Sequence, residues 1–342
     1  MENTEQSQKR SQESDMNQPD EFRNRFPEFE IKKKKPNYLL HIGLFVFTFI
    51  TTTMGGVFWG GSDPYDIHNF TKGLTYSCLI LLIISAHEFG HYFAAKYHNV
   101  DVTLPFYIPF PFLFLNPFGT MGAVIRMRSG MSTRKSLFDI GVAGPIAGWI
   151  VSVIILIVGF TTLPSIEYLF KIHPEYAMNG VLVQGESFGY SILFWAFEKM
   201  FASPSGFMPP MNEVYHYPFL CAGWFGLLIT SLNMVPAGQL DGGHISYTMF
   251  GSKTSSILGH IVVGILFIMG VIGLLPLIDI NIDFGSMNWL VWALLITFVI
   301  KINHPPIVNH DPEPLSKTRM AIGWFTFAIL ILSFTPVPIY IK

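Results

Sequence analysis

Charged residues are scarce in this chain and cysteine is nearly missing. Asp, Glu, Lys and Arg make up 13% of its 342 residues, about half the usage of a soluble domain. Half of the sequence is apolar, and it runs in blocks too long for buried helices, which excludes a single water-soluble core. The two cysteines, Cys78 and Cys221, both lie inside apolar blocks, so a disulfide framework and a cysteine-type zinc site are excluded. A net charge of −2 leaves no basic excess to draw a nucleic acid. Residues 1–36 contain no apolar run and so do not read as a secretory signal peptide.

What the chain does have is organised by hydropathy. Residues 1–36 are rich in Gln, Glu, Asn and Ser and end in Lys32, Lys33, Lys34 and Lys35, which predicts a disordered tail ahead of a membrane domain over 37–342. Apolar blocks follow at about 38–60, 73–97, 136–161, 217–236, 256–278, 285–300 and 321–341. Most reach the roughly 20 residues needed to cross a bilayer. The expected fold is an all-α polytopic membrane protein with about seven transmembrane helices. With the tail in the cytoplasm, all Lys and Arg except Lys72, Lys171, Lys199 and Lys342 fall on the cytoplasmic side, and this bias sets the orientation.

Two connections stand out. Residues 98–135 are dense in Pro and Phe, then alternate from Gly122 to Arg128, which predicts a small membrane-associated β-hairpin or strand near residues 103–128. Residues 162–216 form a loop on the other side, with Ile192–Phe197 expected as a helix lying at the interface.

The second apolar block contains His87-Glu88-Phe89-Gly90-His91. Residues four apart share one helix face, so the two imidazoles can grip one metal ion. Glu88 then stands beside the metal, where a base can take a proton from a water the metal holds. Ionisable side chains inside a span cost on the order of 3 kcal/mol each, so three within five positions argue for function over packing. A catalytic zinc needs a third protein ligand. Asp241, in Asn233-Met-Val-Pro236-Ala-Gly-Gln-Leu240-Asp241-Gly242-Gly243, is the best candidate: the second and fourth blocks run in the same direction, so their ends share one depth. Asn233, Pro236 and the two glycines suit a broken helix at that point. Asp139, at the start of the third block, is the rival.

The paired motifs His87-Glu88-x-x-His91 and Asn233-x-x-Pro236-x-x-x-Leu240-Asp241-Gly242 resemble those of the site-2 protease family of intramembrane zinc metalloproteases. Gly141-Val-Ala-Gly144-Pro145 resembles the Gly-Pro element of that family's three-helix core, and the stretch from Gly119 to Arg128 looks like its PDZ-less branch. The resemblance implies a catalytic core over about 73–245, with accessory spans over about 256–342. It implies one Zn2+ per chain held by His87, His91 and Asp241, with Glu88 as general base and Asn233 holding substrate or oxyanion. Transmembrane proteins are the implied substrates, and a bacterial cytoplasmic membrane the implied setting. A helical substrate must be unwound, and Thr120, Gly122, Ala123, Val124 and Ile125 are expected on a strand edge that pairs with it. An interfacial loop anchored by arginines is the alternative for that stretch. For the whole chain the alternatives are a membrane zincin cutting cytosolic or lipidated peptides, and a non-proteolytic metal-binding transporter or chaperone. His41, His98, His244, His260, His304 and His310 read as interfacial, loop or packed histidines.

Overall fold

Apolar segments in lipid must satisfy their backbone internally, and helices are the way a single segment does so. The computed structural model describes residues 37–128, 133–182, 184–201, 206–278, 284–306 and 314–341; the expected tail over 1–36 lies outside the described residues. The described residues are mostly helical, with two small sheets among them. The first apolar block forms α1 (Tyr38–Trp59). A 3-10 turn (Ile67–Gly73) leads into α2 (Leu74–Tyr97). The strands β1 (Phe106–Pro109) and β2 (Thr120–Val124) then pair antiparallel, with a register shift between Tyr107 and Pro109. An isolated bridge from Val102 to Met127 extends the pairing. This is the hairpin expected near residues 103–128.

The helix α3 (Arg134–Thr161) starts on a reciprocal cap: Thr133 accepts from the Ser136 backbone N–H while the Ser136 hydroxyl accepts from that of Thr133. The next connection holds α4 (Glu167–Ile172), α5 (Tyr176–Asn179), β3 (Glu186–Phe188) and α6 (Ile192–Met200). After these come α7 (Pro218–Asn233), α8 (Asp241–Ile272), α9 (Met287–Leu295), which runs on into a π turn (Ile296–Ile300), and α10 (Lys317–Ser333). The last strand, β4 (Ile339–Ile341), pairs antiparallel with β3.

Among the described residues, four helical stretches are long and apolar enough to cross a membrane: Tyr38–Trp59, Ile67–Tyr97, Arg134–Thr161 and Asp241–Ile278. The protein is an integral membrane protein. Ile257, Ile261, Ile265 and Ile268 are all exposed along one face of α8, an apolar stripe suited to lipid. The fourth, sixth and seventh expected blocks form shorter helices, for local reasons. Pro236 follows the end of α7, Lys301 adopts a positive φ after the π turn, and Pro336 and Pro338 lie between α10 and β4. The fifth block starts earlier than expected. Its helix begins at Asp241 and breaks at Gly251, whose φ of 81° suits a residue without a Cβ.

The helices α2, α3 and α7 pack on one another. Most of α7 is buried, with Leu220, Trp224 and Phe225 facing Ile80 and Ile83 of α2 and Leu156 and Phe160 of α3 within one core. A 16-residue helix spans only about 24 Å, and burial inside the bundle removes any need for it to match the bilayer.

Candidate metal centre

The site is built where α2 passes α3. Gly90 of α2 sits against the backbone of Ala143 and Gly144, and a Cβ on Gly144 would overlap the His91 ring. One on Gly148 would lie 3.1 Å from His87 Cβ. The small residues of α3 thus leave the space that two imidazoles fill. His87 and His91 are both buried, with their Nε2 atoms 3.1 Å apart. Nδ1 of His91 lies 2.7 Å from the Ile140 carbonyl oxygen. Only an N–H can make that bond, so in the neutral ring Nε2 carries a lone pair. Replacing Gly144 by alanine is therefore expected to push His91 out of place. Metal content should fall well below that of wild type, while thermal unfolding shifts only by an overpacking cost of about 1–3 kcal/mol. A variant with full metal content would show that the ring can move without leaving the site.

Asp241 arrives from the far side. Pro236 and Gly238 turn the chain after α7, and Gly242 and Gly243 let the start of α8 lie directly on the backbone of Met234–Gly238. Asp241 is the first residue of α8, where the helix dipole favours a carboxylate. Its Oδ2 lies 3.3 Å from His87 Nε2 and its Oδ1 3.3 Å from His91 Nε2. Bonds of about 2.0–2.1 Å to a tetrahedral ion put ligand atoms roughly 3.3 Å apart. Two imidazole nitrogens and a carboxylate at these separations therefore fit one zinc ion.

Glu88 is buried beside this triangle, its Oε1 4.0 Å from His87 Nε2. The Ile125 backbone N–H faces its carboxylate. Asn233, the last residue of α7, borders the same cavity of about 250 Å³, together with Ala123, Val124 and Ile125. Thr120 and Gly122 do not reach it. The Thr120 hydroxyl donates to the Ile108 carbonyl, and the Gly122 N–H bonds back to that hydroxyl. Arg126 accepts from Thr103 N–H and Arg128 donates to the Asp101 carbonyl. In an extended strand the backbone groups of Ile125 and Met127 then point the other way, toward the cavity.

Asp139, the rival ligand, lies elsewhere: Arg319 grips it with two bonds of 2.8 Å, and His98 Nε2 lies 2.9 Å away. Reading the sequence missed a second cluster, His173, Glu213 and His216. Burial pushes the His216 imidazole down to about 4 and the Glu213 carboxyl up. Glu213 and His216 are only three apart, but His173 is 40 residues away, and no short motif links them.

Comparison with known proteins adds a family. The sequence matches the model of Peptidase family M50 over residues 75–277. It is 25% identical over 278 residues to a protein of Oryza sativa subsp. indica named probable zinc metalloprotease EGY2, chloroplastic, a match covering 81% of this chain and 45% of that one. Probable zinc metalloprotease EGY1, chloroplastic, of Arabidopsis thaliana is 28% identical over 264 residues, or 75% of this chain and 42% of its own. An Oryza sativa subsp. indica protein named probable zinc metalloprotease EGY3, chloroplastic, is 27% identical over 307 residues, or 87% and 48%. The chain spans about half the length of the curated relatives it matches. No solved structure matches it.

Proposed function

The chain belongs to Peptidase family M50, the site-2 protease family, and from that premise we propose that it is a zinc endopeptidase cutting other proteins within or beside their membrane-spanning segments. The observation that carries this reading is the convergence of His87, His91 and Asp241 on one point, with Glu88 beside them and β2 along the cavity. His87, His91 and Asp241 would hold the ion. Zinc, when bound, polarises a carbonyl and lowers the pKa of a water to about 7.

The chain's own residues supply the rest. Glu88 accepts a proton from the attacking water and returns it to the departing amine. Asn233 donates its side-chain amide to the substrate oxygen on which charge builds. Just past the end of β2, the outward backbone groups of Ile125 and Met127 offer partners to a substrate that has left its own helix. In lipid each unsatisfied group costs several kcal/mol, so without such partners unwinding does not occur. The polar tail lies in the cytoplasm of a bacterium, seven segments cross the membrane, and the centre sits toward the cytoplasmic face. The distribution of Lys and Arg supports that orientation.

The test is cleavage in zinc-loaded lipid vesicles. The wild-type protein is expected to cut a single-span helical substrate inserted in the bilayer. Met127→Pro removes one outward N–H and leaves the bonds of Arg126 and Arg128 in place. Its activity should be roughly tenfold below that of Met127→Ala, the value of one hydrogen bond. Equal activity of the two variants would remove the strand-pairing step. Cleavage of soluble peptides with none of the inserted helix would favour a zincin working outside the bilayer.

A further inference from the structure

The other end of α7 holds a second group of side chains with metal-binding chemistry. His173 follows α4, and Glu213 and His216 lie in the turn before α7. The Nε2 atoms of His173 and His216 are 3.1 Å apart. Glu213 Oε2 lies 3.7 Å from the first and 3.5 Å from the second. The donor set is that of the first centre, two imidazole nitrogens and one carboxylate oxygen, and the triangle is nearly the same size. This cluster precedes the start of α7, a helix about 24 Å long, while Asn233 at the helix's other end borders the first centre.

The surrounding bonds orient all three lone pairs inward. His216 Nδ1 lies 2.8 Å from the Trp59 carbonyl oxygen, and His173 Nδ1 lies 3.1 Å from Glu175 Oε1. Each Nδ1 therefore carries the hydrogen, and each neutral ring turns an unprotonated Nε2 toward the other. Two such lone pairs at hydrogen-bond distance repel unless a cation lies between them. Glu213 adds to the demand. Its Oε1 accepts from the Tyr176 hydroxyl and the Asn212 amide, both at 2.9 Å. Its Oε2 is buried, faces both Nε2 atoms, and has no hydrogen-bond partner among the described residues. A buried carboxylate oxygen without a donor is costly. A metal ion satisfies all three atoms at once, and the Nδ1 bonds are the outer support that metal-bound histidines normally have.

We propose that His173, Glu213 and His216 hold a second divalent cation, a transition ion of the zinc type, that fastens the connection between α3 and α7 to the end of α1. Imidazole with carboxylate selects such ions over calcium or magnesium, which prefer oxygen ligands. The bond from His216 to Trp59 ties the ion to α1, and His173 brings in the α4–α5 segment 40 residues earlier in the chain. A cavity of about 450 Å³, bordered by Trp59, Tyr76 and Tyr168, lies beside His216. The site is independent of the peptidase reading.

Metal counting on the tag-free full-length protein tests this. After loading with zinc alone and desalting, elemental analysis should find two zinc ions per wild-type chain. His173→Ala, at a half-exposed position, should hold one, as should Glu213→Gln. His87→Ala/His91→Ala should also keep one, and adding His173→Ala should remove it. In the His87→Ala/His91→Ala background zinc should raise the unfolding temperature, and the further His173→Ala change should abolish that rise. One zinc per wild-type chain, together with none in His87→Ala/His91→Ala, would overturn the proposal and leave a shared proton between the rings. Two ions in both the wild type and His173→Ala would place the second ion elsewhere and overturn it equally.

Discussion

Glu88→Gln is expected to lower peptide-bond cleavage by about 10²–10⁴-fold while the protein keeps its wild-type metal content. The glutamine side chain has the same length and shape, and its carbonyl oxygen can still face the Ile125 N–H. What it loses is the capacity to take a proton. Glu88 is 4.0 Å from His87 Nε2, outside the triangle of His87, His91 and Asp241, so metal retention and loss of activity should separate cleanly. A structural role would behave differently, because a structural defect would lower the unfolding temperature or release the metal along with the activity. Two measurements decide: turnover of an inserted helical substrate, and zinc per chain on the same preparation. Full turnover by the variant would move the base elsewhere; loss of zinc would make Glu88 a ligand or a support.

Asp241→Asn should act the other way round, on the metal first and on activity in consequence. Asp241 is the one anionic group in a triangle whose other two members are neutral imidazoles when metal-bound. Asparagine preserves the shape and suits a helix start, so α8 should still begin at residue 241. The expected loss of zinc affinity exceeds the 10–100-fold or so that follows removal of a mere supporting bond. Competition with a chromophoric chelator measures it, and excess zinc should restore part of the activity, which it cannot do for Glu88→Gln. Undiminished affinity would pass the third-ligand role to another side chain at the cavity. Asp139 could not take it, because Arg319 and His98 already occupy its carboxylate.

Several elements were legible from local pattern. The alternation from Gly122 to Arg128 predicted an extended stretch, and β2 with the Met127 bridge occupies it. The nine-residue α6 covers the segment expected to lie at the interface. Helix ends were harder. The fourth block extends past Asn233 by hydropathy alone, yet the helix stops there because Pro236 and the turn before Asp241 leave no continuing ladder. Of the five residues expected along the substrate edge, Ala123, Val124 and Ile125 border the cavity, while Thr120 and Gly122 are engaged with each other and with β1.

The sequence by itself determined the membrane character, the shared helix face of His87 and His91 and the position of Glu88 beside them. These depend on run length and on the 3.6-residue repeat, which neighbouring residues specify. Apart from Asp241, which the direction of its block had already singled out, only the tertiary structure decided which distant groups meet. It brought Asp241 to the histidines by stacking the start of α8 on the turn after α7. It gave Asp139 to Arg319, and it assembled His173, Glu213 and His216 from segments 40 residues apart. Such encounters depend on how helices pack through close approaches such as Gly90 against Gly144, and packing is a property of surfaces that the order of residues along one segment does not contain.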